Sequence, residues 1–337
     1  MTNPEPTLRP YQPGDETQIL QTFNRVFREV CGPGYVDRTP EYWRWEFLAN
    51  PEGNRIALAV CPDGTVAAQY AGVPYRMHTA FGDRVFVHIV DSMVHPEFRK
   101  GLKKPGLFIE CALPWFEDCH RRRDSVLYGY PVVTAERIGQ RYLEYKRLRV
   151  VDYLVREAAA GPIAAPAAIA VERVATFPAE TDQLFARIAA EKHCLTRRDK
   201  RYLDWRYVQI PGGGYECYVA RRAGVLCGVV VLRTQLELVP GGCGIVDWLA
   251  LEADTEAHTA LLATAVARGA AAGRRNVLAV LADTAPEHAW LRSQGFAVVP
   301  SGEYLERRLT HRIYDPQLTT EWLLAHWWYT LGDSDLA

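Results

Sequence analysis

Residues 91–108 read DSMVHPEFRKGLKKPGLF, and the fold turns on how this stretch is parsed. It begins as the end of the strand RVFVHIVDSMV and breaks at His95-Pro96. It then crosses a loop carrying Arg99, Lys100, Lys103 and Lys104, and enters an apolar helical run at Gly106-Leu107-Phe108. A strand that stops just before a helix brings unpaired backbone N–H groups to one point, backed by the positive end of the helix dipole. Glycine lets the backbone come close to an anion held there. Pro105 suits the first helical turn, where its missing N–H costs little. The plainer alternative for the four cations is a solvated basic turn.

The rest of the chain offers no global reason to bind anions. Its 337 residues are 48% hydrophobic and 23% charged, with a formal net charge of −1, so any anion affinity must be local and no nucleic-acid partner is expected. No apolar run reaches the roughly 18 residues that span a bilayer. The polar, Pro-bearing start MTNPEPTLRP is no secretory signal. The eight cysteines are scattered without a C-x-x-C pair and read as reduced thiols of a cytoplasmic protein. The histidines form no metal-ligand spacing, so no metal is expected.

Outward from the loop, periodicity predicts a strand and an amphipathic helix in LRPYQPGDETQILQTFNRVFREV. Strands follow around 55–60 and 65–73, then the long strand, a helix near 106–121, a strand at 125–130 and a helix near 134–146. VVDYLV reads as the closing strand of this set, and AAAGPIAAPAAIA (158–170) as a linker. The order then starts again. Tyr42, Trp45, Pro51, Gly53 and Gly64 recur as Tyr202, Trp205, Pro211, Gly213 and Gly224, displaced by 160 (205 − 45). Ile89-Val90-Asp91 recurs as Ile245-Val246-Asp247, displaced by 156 (247 − 91). The period is far longer than the ~20–50 residues of a solenoid, so two domains are expected. They are an N-terminal domain over 1–157, a linker at 158–172, a C-terminal domain over 173–310, and an aromatic tail at 311–337.

Each repeat unit resembles the Gcn5-related N-acetyltransferases (GNATs). The likeness rests on LRPYQPGDE, on Val94-His95-Pro96-Glu97-Phe98-Arg99, and on the strand–Pro–helix YGYP…RYLEYKRLRVVDYL. In the second copy it rests on APEHAWLRSQGFAVV. The resemblance implies an α/β fold of two GNAT-like domains, each a mixed, mostly antiparallel twisted sheet flanked by helices. It also implies acetyl-CoA, or another acyl-CoA, as co-substrate. In that family a loop of form R-x-x-G-x-G/A holds the pyrophosphate. Arg99, Gly101 and Gly106 fit in kind but not in spacing, so the loop is lengthened, with Lys100, Lys103 and Lys104 as further phosphate contacts. Carrying the displacement of 156 through the loop maps His95–Gly101 onto Leu251-Glu252-Ala253-Asp254-Thr255-Glu256-Ala257. Three carboxylates there repel an anion, so the second copy is expected to be degenerate at this loop.

The resemblance also assigns roles. A backbone N–H at Met93 or Val94 would hold the thioester oxygen, and Asp91 or Glu97 would take the amine proton. Asp247 recurs at the position of Asp91, which argues equally for a structural role, and Glu97 could simply pair with Arg99. A tyrosine would protonate the departing thiolate: Tyr142, nearer the family's spacing, or Tyr145, with Trp290 at the corresponding place in copy two. His88 and His95 read as packed residues, and YWRWEF with its echo RYLDWRY as core. The expected activity is acyl transfer to an amine of a small-molecule or peptide acceptor by direct attack in a ternary complex. A non-catalytic acyl-CoA or partner-binding module is the alternative, and an aminoacyl-tRNA-dependent transferase a third reading. Acceptor, acyl chain length, role of the tail and oligomeric state stay open.

Overall fold

The computed structural model describes residues 5–99 and 105–335. In its first half the chain forms β1 (Thr7–Pro10), α1 (Glu16–Cys31), α2 (Pro40–Phe47), β2 (Arg55–Val60), β3 (Val66–Thr79), β4 (Arg84–Val94), α3 (Leu107–Arg121), β5 (Val126–Gly129), α4 (Val133–Tyr142), β6 (Lys146–Val150) and β7 (Tyr153–Glu157). The second half adds β8 (Ile169–Val174), α5 (Thr181–Ala189), β9 (Cys194–Thr196), α6 (Lys200–Leu203), β10 (Glu216–Arg222), β11 (Val225–Arg233), β12 (Gly242–Ala250) and α7 (Thr255–Ala271). It ends with β13 (Asn276–Ala279), α8 (Pro286–Ser293), β14 (Ala297–Val299), β15 (Arg308–Ile313) and α9 (Thr320–His326).

The compact units do not follow the sequential boundaries expected at 157 and 310. One unit takes the chain up to Tyr75, Val85–Lys146 and Thr310–Pro316; the other takes Arg76–Arg84, Arg147–Leu309 and the chain from Gln317 on. In the first unit β1, β2, β3, β4 and β5 lie side by side, and Thr310–Ile313 of β15 joins the sheet antiparallel to β5. In the second the order is β14-β7-β13-β12-β11-β10-β8. The strand expected to close the first domain, β7, therefore sits inside the second sheet, between β13 and the edge strand β14. Its Tyr153 and Leu154 are buried, and Leu154 is paired on both sides, with Ala279 and Val298. The presumed linker ends in an edge strand, β8, paired with β10.

In the first unit, Ile109, Cys111, Ala112, Trp115, Phe116 and Cys119 of α3 recur at helical spacing and pack on Ala57, Ala59, Ala68, Tyr70, Val87 and Leu127 of the sheet. Trp115 ties the two layers by donating its indole N–H to Arg55 O at 2.9 Å. Trp43 and Phe47 of α2 are buried, as the core reading of YWRWEF expects. No helix among the described residues is long and apolar enough to cross a membrane.

Candidate active site

The long strand β4 and the short strand β5 pair in parallel only from Phe86–Val126 to His88–Tyr128. Beyond that point β5 ends at Gly129 while β4 runs on to Val94, leaving this edge open among the described residues. Asp91 breaks the pleat of β4 with φ 54°, a left-handed conformation for a non-glycine residue inside a strand. Such a residue costs on the order of 1–3 kcal/mol and persists only where its surroundings over-determine it. The break resets the alternation of the strand. Val85, Val87 and Ile89 face the α3 core, and it is Val94, not residue 93, that rejoins them. His95 N–H donates to Ala67 O of β3 at 2.9 Å. Alternation then turns the N–H of Val94 to the opposite edge of the strand, away from β3.

Two partners of Asp91 are residues that sequence reading passed over. Its carboxylate pairs with Arg38, which also bonds Glu46 at 3.0 Å. Its carbonyl accepts from Gln69 Nε2 at 3.0 Å. In the second unit Asp247 bonds Arg198 at 2.7 Å. Arg198 stands 160 residues after Arg38, as Asp247 stands 156 after Asp91, so the ion pair is duplicated with the fold. A pair of opposite charges recurring in both registers was the signal that could have found it. The shared architectural role that this recurrence argued for is the one the contacts of Asp91 fit.

Lys100, Gly101, Lys103 and Lys104 of the candidate phosphate loop lie outside the described residues. Arg99, at the near side of the loop, donates Nε–H to Val94 O at 2.9 Å and pairs with Glu29 at 3.2 Å. Gly106 caps α3 in an extended conformation, and a side chain added there would meet nothing within 4 Å. Pro105 thus precedes the cap and does not occupy the first turn as expected. Glu97 is exposed and pairs with Arg25 at 3.0 Å, where Arg99 was the expected partner. Arg25 also bonds His95 Nε2 at 3.0 Å, and burial, then the Arg25 charge, push the His95 pKa down. His88 stacks on Tyr128 with ring centroids 4.8 Å apart, in keeping with a packed residue.

The two candidate tyrosines occupy different environments. Tyr142, the last residue of α4, is 42% exposed. Tyr145 packs against Phe116, and its hydroxyl bonds that of Tyr70 on β3. Burial pushes the hydroxyls of both Tyr70 and Tyr145 well above the usual phenol range. Glu144 (φ 59°) and Gly295 (φ 91°) make the same left-handed exit from α4 and α8, so the displacement here is 151 (295 − 144). Tyr142 then corresponds to Ser293, Tyr145 to Phe296 and Gly139 to Trp290, which corrects the alignment of Trp290 with the tyrosines. A Cβ on Gly139 would overlap the Tyr145 ring. Gly139→Ala should accordingly cost about 1–3 kcal/mol by overpacking, despite alanine's better helix propensity. Equal urea midpoints for variant and wild type would contradict that seating of Tyr145.

The equivalent place in the second unit is filled by the protein itself. The β12–β13 ladder ends at Ile245–Ala279, and just beyond it Leu281 bridges to Thr330 of the aromatic tail. Thr330 donates to Asp247 at 3.2 Å, and Trp328 Nε1 to Glu287 at 3.2 Å. Trp290 packs beside Trp248 and His258, at 6.1 and 5.3 Å between ring centroids. The first turn of α7 is already served by its own acid, Asp254, which accepts from Ala257 N–H at 3.0 Å and pairs with Arg222. These contacts agree with the expected loss of anion binding in copy two. Among the described residues no group of His, Cys, Asp and Glu is placed to hold a metal ion.

No protein-family model and no curated protein matches the chain. Solved structures do. A GCN5-related N-acetyltransferase from Anabaena variabilis superimposes with TM-score 0.67 at 14% identity, covering 91% of this chain and 72% of that one. A tandem GNAT protein from the clavulanic acid biosynthesis pathway matches with TM-score 0.59 at 14% identity over 93% and 99% of the two chains. Eis1 from Mycobacterium abscessus matches with TM-score 0.58 at 15% identity over 91% and 73%.

Proposed function

We propose that this chain, which has the doubled Gcn5-related N-acetyltransferase fold, transfers an acyl group from acyl-CoA to an amine, and that its first unit does the chemistry. The observation carrying this reading is the contrast between copies. In unit one β4 runs on past the end of β5 and α3 begins at a bare glycine cap, whereas tail residues and tryptophans fill the counterpart in unit two. Such an edge fits an extended thioester, and a helix N-terminus fits its phosphates. Arg99 and Gly106, with Lys100, Gly101, Lys103 and Lys104, are the residues we assign to the phosphates.

The reaction forms one C–N bond and breaks one C–S bond. The amine must shed a proton and the thiolate must gain one. Val94 N–H is assigned to the carbonyl oxygen, where it would stabilise the developing charge. Asp91 is committed to Arg38, so of the two carboxylates Glu97, open to solvent, is the one we assign to the amine proton. Tyr145 is assigned to the leaving sulfur. Its raised pKa is no mismatch if the thiol is equally desolvated: burial pushes Cys111, in the same core, up to about 12.

Acetyl-CoA should raise the melting temperature of the wild type. At 100 times the dissociation constant the gain is about 2.7 kcal/mol. Arg99→Glu should abolish most of the shift. No shift in the wild type removes the acyl-CoA reading, and a full shift in Arg99→Glu moves the phosphates away from this loop.

A further inference from the structure

We propose that Gln69 is a positioning residue. It locks Asp91 in the left-handed conformation that turns the Val94 N–H to the open edge of β4, and so sets the oxyanion donor without touching substrate. The inference rests on the acyl-transfer reading and deepens it. Gln69 is buried on β3, and its Nε2 holds the Asp91 carbonyl at 3.0 Å. Its Oε1 is buried and finds no hydrogen-bond partner among the described residues. A buried amide using half its capacity is a poor stabilising device, which favours a role for the half that is used.

The second copy separates this role from architecture. Arg38–Asp91 recurs as Arg198–Asp247, so the ion pair goes with the fold. The residue 160 positions after Gln69 is Val229, two rungs along the β11–β12 ladder from the pair Val231–Asp247. Asp247 is not among the residues of positive φ, whereas Asp91 is. The copy with valine at this place thus also lacks the left-handed residue, and its gap is filled by Thr330 and its neighbours. Amide and left-handed break occur together in the unit with the open edge.

The test uses the full chain with [1-13C]acetyl-CoA, reading the carbonyl stretch by difference infrared spectroscopy. Gln69→Val copies the residue that the second unit tolerates, and Gln69→Met keeps the length of the side chain if valine fails to fold. In wild type the bound carbonyl should shift to lower frequency than in free acetyl-CoA. In the variants acetyl-CoA should still bind, with the shift largely lost and turnover down roughly tenfold at nearly unchanged KM. An additional Asp91→Gly, which accepts left-handed φ without help, should restore part of the shift. A bound-carbonyl frequency in the Gln69 variants equal to that of wild type overturns the proposal. Absence of acetyl-CoA binding in wild type would instead fail the acyl-CoA reading itself, and the two failures look different.

Discussion

Methionine in place of Arg198 should destabilise the second unit by about 3–5 kcal/mol, the usual consequence of removing one partner from a buried ionic group. Arg198 is fully buried and bonds Asp247 at 2.7 Å, Asp333, the Thr330 hydroxyl at 3.0 Å and Thr196 O at 3.2 Å. One guanidinium thus serves two carboxylates. Without it, Asp247 and Asp333 lose their shared cation in a low-dielectric interior, keeping neutral donors such as Tyr207 and Thr196. Because Thr330 and Asp333 belong to the aromatic tail, the variant should also release the tail from the gap it fills, which limited proteolysis would detect. Arg38→Met in the first unit should cost less, since that side chain keeps 19% of its surface exposed whereas Arg198 keeps none. Urea unfolding measures both. A loss below about 1 kcal/mol for Arg198→Met, the range of an exposed pair, would mean that the cluster is not the latch of the tail.

The strand–loop–helix of 84–121 could be read from sequence because local rules agree there: an apolar strand, a His-Pro break, a glycine cap and an apolar face at helical spacing. The duplication could be read because two registers repeat across matching elements. The exchanged strands could not. Thr310–Ile313 is polar, with His311 and Arg312 beside Thr310, and carries no strand periodicity of its own; its place beside β5 is set by pairing. The dipeptide Val151-Asp152 lies inside VVDYLV and divides β6, which ends at Val150, from β7, and nothing local says which sheet receives β7. The tail was legible as aromatic but not as the filling of a gap, because the bridges from Leu281 to Thr330 and from Cys194 to Trp327 are long-range. Asp91 was the hardest to judge. Its type and position suit a base, and only its bonds to Arg38 and Gln69 show where its carboxylate and carbonyl are spent. For the tyrosines the obstacle was a changed displacement: 156 at the strand becomes 151 at the last helix, and residues aligned at one register are misaligned at the other.

That corrected register points to Tyr145. Tyr70 and Tyr145 place two bonded hydroxyls inside a core built from Trp115, Phe116, Cys111 and Leu127. Their counterparts in the second unit are Val230 and Phe296, so the fold packs this position without any hydroxyl. Polar atoms kept in a core that can do without them need a reason other than stability. Tyr145→Phe should therefore lower turnover by about 10²–10³-fold, the range of a lost general acid. Tyr142→Phe, on an exposed helix end, should change it by less than about threefold. The assay is release of CoA thiol from acetyl-CoA with the best amine of a panel. Tyr145→Phe alone also leaves the Tyr70 hydroxyl buried without its partner, at about 1–3 kcal/mol, so a loss of activity could be blamed on packing. The double variant Tyr70→Phe/Tyr145→Phe removes both hydroxyls and should regain most of that stability, because replacing both partners is close to neutral. If the double variant is as stable as wild type and still slow, the hydroxyl acts in the chemistry. If its turnover recovers together with its stability, Tyr145 is a packing residue and the acid is elsewhere.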